Sequence, residues 1–278
     1  MGTSSPHVAP LDAGGATDQR TASDLDVPAG TQTLARGLAV IAAVAGGHTN
    51  LHAVVEKTGV GRSTTHRLIQ LLVQEGYLRR AAEHSYSLGP MLIELGFQAL
   101  ADNPVTAVAA QILRTLADQV QDTVHLAVED HEQVLYLDKI PGKRGAEMRS
   151  RIGYRMPLTR TGIGKALLLD TPERWRGQFL HDEPVLAPEF GGDEIDVEEF
   201  LRRMETYARQ GASLDLEENE PEIRCVAAPV RDGSGGIVAA ISVSATRPYM
   251  PSARLEGLVP VVCHAAAKIS GALGYRRH

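Results

Sequence analysis

The stretch NLHAVVEKTGVGRSTTHRLIQLLVQEGYLRRAAEHSYSL, residues 50–88, decides how the N-terminal part of this chain folds. Asn50 stands just ahead of an apolar-periodic run, where its side-chain oxygen can accept a bond from one of the unpaired N–H groups that open a helix. Gly59 follows that run and supplies the positive φ at which helices commonly stop. A second helix begins at Arg62, with Leu68, Leu71 and Leu72 at core spacing. Ser63, His66, Arg67, Gln70 and Gln74 recur at steps of three and four on another face, which is polar throughout. Beyond Tyr77-Leu78, Arg79 and Arg80 enter a hairpin whose return strand is Ser85-Tyr86-Ser87-Leu88. Helix, tight turn, helix and two-strand ribbon together make the layout of a winged helix-turn-helix.

The chemistry of the polar stripe suits the major groove of double-stranded DNA. Arg can grip guanine O6 and N7, Gln can pair with adenine, and Ser and Thr hydroxyls reach phosphates or base edges. The candidate DNA-binding residues are therefore Arg62, Ser63, Thr64, Thr65, His66, Arg67 and Gln70, with Arg79 and Arg80 of the wing beside the groove. Any solvated helix has a polar face, so the stripe alone leaves an ordinary surface helix open; the turn and the wing argue for DNA. Charge agrees. Between Thr31 and Arg80 the cations are Arg36, Lys57, Arg62, Arg67, Arg79 and Arg80 and the anions are Glu56 and Glu75, a net +4 in a chain whose formal charge is −6. A basic module on an acidic partner can meet phosphate through the one and stay soluble through the other.

The 278 residues and 43% hydrophobic content suffice for two domains with cores of their own. No apolar run approaches the ~20 residues that span a bilayer and the N-terminus has no signal-peptide centre, so a cytoplasmic protein without membrane contact is expected. Cys225 and Cys263 are the two cysteines, and neither has neighbours at zinc spacing; no metal and no cofactor is expected.

Residues 1–30, rich in Gly, Ser, Thr, Ala, Asp and Pro, read as a disordered tail. Residues 31–88 form the DNA-binding domain, opened by a helix with Leu34, Leu38 and Ile41 at helical spacing and closed at Gly46-Gly47. Residues 89–103 read as a linker helix with Met91, Leu92, Leu95 and Leu100 apolar, ended by Pro104. Residues 104–278 alternate elements. A helix runs to about Val120, and strands at Thr123–Val128 and Val134–Leu137 are joined as a hairpin. Further on lie a turn and helix within Pro157–Asp170, a helix at Phe200–Arg209, strands at Cys225–Val230 and Ile237–Ser244, and a final amphipathic helix. Hairpin-grouped strands with helices between them point to an α+β domain, an antiparallel sheet flanked by helices, rather than a doubly wound parallel sheet.

In this order of parts, and in the stretches "STTHRLIQLLVQEGYL", "YSLGP", "TGIGKALL", "IRCVAAPVRD" and "AAISVS", the sequence resembles the IclR family of bacterial transcriptional regulators from Thr31 to Gly274. The resemblance implies a GAF-like effector-binding domain, a homodimer joined through the DNA-binding domains, and often a tetramer built as a dimer of dimers. It also implies an effector site for small acids at Gly162, Ile163, Asp215, Cys225, Ser242 and Ser244. Ile163 is bulkier than the alanine common at that place in the motif, which puts ligand size and shape in doubt.

The residues themselves allow this site without requiring it. A glycine turn opening a helix at Gly162 leaves N–H groups and a positive dipole end that suit a carboxylate, but a plain helix start also accounts for the two glycines. A P-loop is excluded, because Thr159 stands where its first glycine belongs and Ala166 where its Ser or Thr belongs. Ser242 and Ser244 are two apart in a strand and share a face, as ligand contacts or as satisfied core serines. Cys225 reads as pocket lining before nucleophile. Asp215 opens the acidic run Asp215-Leu216-Glu217-Glu218, which by itself reads as solvated. Two functions follow: a DNA-binding regulator controlled by a small organic acid or related carbonyl or aromatic metabolite, or a Cys225-dependent hydrolase or transferase with a DNA-binding head. The sequence shows no catalytic constellation that supports the second.

Overall fold

A computed structural model of the protein describes residues 28, 30–81, 84–145, 148–182 and 195–276. The expected tail, residues 1–30, lies almost wholly outside them. The chain divides into two compact units, Met1–Ala99 and Leu100–His278.

The first unit holds α1 (Gln32–Ala45), α2 (Leu51–Thr58), α3 (Arg62–Gln74), the antiparallel ribbon β1 (Leu78–Arg80) and β2 (Tyr86–Leu88), and most of α4 (Pro90–Ala101). This is the winged helix-turn-helix. Asn50 caps α2 by accepting from the Ala53 N–H at 3.0 Å, and Gly59 ends it at φ 66°. The Tyr86 N–H donates to the Thr49 carbonyl at 2.6 Å, tying the wing to the turn ahead of α2. Gly89 has to be glycine, since a Cβ there would stand 2.1 Å from the Gly76 carbonyl oxygen. The core consists of Val40, Ala43, Val44, Val54, Ile69 and Leu78.

One expectation about this core is corrected: Leu71 of α3 is 52% exposed; on α1, Leu34 and Leu38 are 64% and 57% exposed and extend the apolar stripe beyond the core. The buried stripes are centred instead on Val40, Ala43 and Val44 of α1 and on Thr65 and Ile69 of α3. Leu68 and Leu72 pack against this core, partly buried, so of the three leucines on α3 only Leu71 turns away from it.

The second unit is built on one antiparallel sheet of order β5-β4-β3-β8-β7-β6. Its strands are β3 (Thr123–Asp130), β4 (Gln133–Ile140), β5 (Arg155–Pro157), β6 (Ser213–Leu216), β7 (Ile223–Arg231) and β8 (Ile237–Thr246). Helices α5 (Pro104–Val120) and α9 (Ser252–Ala272) cover one face, packing on Val124, Leu126, Val226, Ala228, Ile241 and Val243. Helices α6 (Gly162–Leu167), α7 (Trp175–Asp182) and α8 (Val197–Gln210) enclose a second core, with Ile163, Phe179 and Phe200, against Ala127, Ala227 and Ala240 of the other face. Alternation along the strands feeds two different cores, and the α+β architecture of a sheet between helical layers is the result. Short β5, β6 and α7 were absent from the sequence reading. In β6 the inward positions are Ser213 and Asp215, so period-two polarity hid a strand that pairing with β7 makes secure.

Candidate DNA-reading face and effector site

Arg62, Ser63, Thr64, His66 and Arg67 are exposed along α3, as the stripe requires, and Gln70 is half-buried. Thr65 is a correction. It is fully buried, and its hydroxyl donates back to the Val60 and Gly61 carbonyls at 3.0 and 3.3 Å, so it holds the turn and does not reach a groove. Gln70 lies 3.4 Å from the His66 ring and accepts from Arg80 at 3.1 Å, which ties the wing to the recognition helix. The Arg79 guanidinium donates to Ser87 across the ribbon at 3.0 Å. Exposed Leu71 belongs to the same face, and a helical wheel centred on Ile69 rather than on the leucines would have found it; an apolar side chain there can meet a thymine methyl.

The residues expected at the effector site come together in the second unit. Cross-strand register sets Asp215, Cys225, Ser244 and Thr123 in one row across β6, β7, β8 and β3, and Ser213, Ala227, Ser242 and His125 in the next. Gly162, the first residue of α6, sits against this face: a Cβ on it would fall 2.3 Å from the Cys225 sulfur. Its carbonyl accepts from Ser213 at 2.7 Å, and its N–H and the Ser244 hydroxyl lie close enough to the Cys225 sulfur to favour the thiolate slightly against burial. Thr161 caps α6 by accepting from the Gly164 N–H at 3.0 Å, while the Lys165 N–H goes to the Thr161 carbonyl. Two of the N–H groups at the start of α6 are thus taken up within the turn, those of Gly164 and Lys165. Ile163 is buried in the core under α6.

The titratable groups here are displaced by burial. Asp215 was expected to be solvated and is instead buried; its carboxyl accepts from the Glu218 N–H at 2.9 Å, and burial raises it to about 7 against the pull of Lys165. Cys225 is pushed up to about 12 by burial and by Asp215, the reverse of what a nucleophilic thiol needs. His125 is lowered to about 3 by burial and the nearby Lys139 ammonium, so it is a neutral imidazole. Its ring lies 5.1 Å from that of Tyr136, whose hydroxyl burial raises. Thiol, hydroxyls, a neutral imidazole and a carboxyl poised between its two states can hold a small polar molecule and have no activated nucleophile among them.

His125 was missed in the sequence, although its position two residues from both Thr123 and Ala127 puts it on the Ser242 side of the sheet. Also missed was the pairing of Lys165 with Glu218 directly below, a buried ammonium and carboxylate.

Comparison with known proteins agrees with these features. The family model described as IclR helix-turn-helix domain matches residues 33–82, and the one described as bacterial transcriptional regulator IclR C-terminal matches residues 97–271. The HTH-type transcriptional regulator KdgR of Escherichia coli is 32% identical over 225 residues, 79% of this chain and 84% of that protein. The HTH-type transcriptional regulator XynR of the same organism is 33% identical over 219 residues, 78% of this chain and 86% of that protein. A crystal structure of a transcriptional regulator from Rhodococcus superposes with a TM-score of 0.76 at 28% identity, covering 87% of this chain and 98% of that one.

Proposed function

The chain belongs to the IclR family of bacterial transcriptional regulators, and we propose that it reads a roughly palindromic operator as a homodimer or a dimer of dimers. We further propose that a small organic acid or related carbonyl compound, held in the second unit, controls it. The observation that carries this reading is the convergence of Asp215, Cys225, Ser242, Ser244 and Gly162 on one buried sheet face. Helix α3 meanwhile offers DNA an exposed Arg62, Ser63, Thr64, His66 and Arg67. The first is chemistry for a small ligand, the second for a groove.

Self-association through the first unit is supported by apolar pairs one turn apart that its own core leaves uncovered: Leu34 and Leu38 on α1, and Ile93 and Phe97 on α4, the last two 63% and 70% exposed. Residues 89–103 serve in this reading as the helical linker. KdgR and XynR are named as transcriptional regulators, and the same role is carried here by the same arrangement of parts.

The test is a calorimetric screen of the full chain against pyruvate, benzoate and 4-hydroxybenzoate, followed by operator titration with and without each binder. A bound acid that shifts operator affinity supports the reading; turnover of the acid, or binding without any effect on DNA, counts against it.

A further inference from the structure

A hydrogen-bonded chain crosses the proposed effector face: the ring of His125 bridges two serines, with Nε2 2.7 Å from Ser150 Oγ and Nδ1 3.3 Å from Ser242 Oγ. His125 comes from β3 and stands opposite Ser242 in the β3–β8 register. Ser150 lies between β4 and β5, held by the Lys139 ammonium, which donates to the Met148 and Ser150 carbonyls at 2.7 Å each.

A neutral imidazole has one donor nitrogen and one acceptor, so only one of the two serines can receive its hydrogen. Hydroxyl donors make shorter bonds than N–H donors do. On that ground the shorter contact is assigned as the Ser150 hydroxyl donating to Nε2, which leaves the hydrogen on Nδ1, pointed at the Ser242 oxygen. With its lone pair engaged from behind, the Ser242 hydroxyl is free to turn its own hydrogen into the pocket.

We propose that His125 is a positioning residue of this site: by donating from Nδ1 to Ser242 Oγ it presents Ser242 as a donor, so that this end of the pocket takes an acceptor oxygen, carboxylate or carbonyl. The ligand class that satisfies this end is a small carboxylate or carbonyl compound, not a simple amine. The inference rests on reading this face as the effector pocket, and its test has one arm that does not.

That arm is nitrogen NMR on the full chain with labelled histidine, His125 being assigned by the signal that His125→Asn removes. The expected result is the neutral Nδ1–H tautomer from about pH 5 to 8, without titration near the usual histidine range. Ser150→Ala should shift the ring toward the Nε2–H form. A free-protein ring in the Nε2–H form, or one that titrates, overturns the assignment whatever the pocket binds. The second arm is calorimetry with 4-hydroxybenzoate and lactate, two hydroxy acids. His125→Phe should weaken binding about tenfold. His125→Asn, whose amide nitrogen occupies the Nδ1 position, should recover most of it. Equal losses in the two variants, with unchanged melting, overturn the positioning role; if His125→Phe does not fold, His125→Asn and Ser150→Ala carry the comparison. Should neither acid bind the unmodified protein, the pocket reading fails while the tautomer still decides the place of His125.

Discussion

Lys165 of α6 and Glu218 of the turn after β6 form an ion pair sealed from water, with side chains 1% and 0% exposed. Burial works against the ammonium, but the Glu218 and Asp215 carboxylates hold it above its usual range. Arg203 of α8 reaches the other Glu218 oxygen at 2.6 Å, so one carboxylate clamps two helices beside the proposed effector face. Glu218→Gln strips Lys165 of its main partner and should cost about 3–5 kcal/mol. Lys165→Met should cost less, because Glu218 keeps Arg203. Urea unfolding of both variants checks the order; Glu218→Gln as stable as the parent would remove the clamp.

Two neighbours on α3 should behave in opposite ways. Thr65→Val leaves the Val60 and Gly61 carbonyls without the hydroxyl that reaches them and should lower stability by about 1–2 kcal/mol. Arg67→Ala touches no core and should cost about 1–3 kcal/mol of operator binding with melting unchanged. Arg79→Ala should instead weaken all DNA sequences alike and reduce the salt slope by about one. Fluorescence anisotropy at several salt concentrations, run beside thermal melts, separates the three. An Arg67→Ala protein that melts normally and binds its operator normally removes Arg67 from the readout.

The legible parts of this chain were those where local chemistry dictates geometry. Asn50 and Gly59 bracket a helix wherever they stand, and the alternation in AAISVS puts Ser242 and Ser244 on one face before any fold is known. What was illegible depends on partners distant in sequence. The acidity of Asp215-Leu216-Glu217-Glu218 looks solvated until β7 places Asp215 opposite Cys225 and α6 brings Lys165 over Glu218. Thr65 and Arg67 are alike polar residues on one helix, and only the Val60 carbonyl shows that Thr65 serves the turn while Arg67 stays exposed. His125 carries a role only because β8 and Ser150 arrive on either side of its ring.

Asp215 gives the site a pH dependence of definite sign. Its folded-state pKa, about 7, lies above the ordinary 3.8, so the native state holds the proton more tightly than the unfolded chain. Its favourable contribution is complete in acid below the ordinary value and is lost as pH climbs through about 7. Asp215→Asn keeps an oxygen to accept from the Glu218 N–H and removes only the ionisation. That variant should melt higher than the parent at about pH 8, with the gap closing toward about pH 4. A carboxylate ligand should likewise draw a proton onto Asp215, so that 4-hydroxybenzoate affinity falls by up to tenfold per pH unit above about 7. Calorimetry in two buffers of different ionisation enthalpy counts that proton, and binding with no proton uptake and no pH dependence rules the coupling out.

Ser242 and Ser244 provide the sharpest separation of sensing from DNA reading. Ser242 already has a protein partner in His125 Nδ1, and a ligand has to be recognised there through what that partner leaves over. Replacing both by alanine removes two hydrogen-bonding groups with little change in volume, so the sheet and both flanking cores should survive. If the effector binds here, its free energy of coupling to the operator should be about 1–3 kcal/mol in the parent and close to nil in the Ser242→Ala, Ser244→Ala protein. The double variant should still bind operator with parental affinity when no acid is present, because a ligand with no differential hold on the two states shifts nothing. Operator titrations with and without 4-hydroxybenzoate, on both proteins, read the coupling directly. A double variant that keeps the parental affinity for the acid and the parental shift in DNA binding would place the effector elsewhere in the molecule.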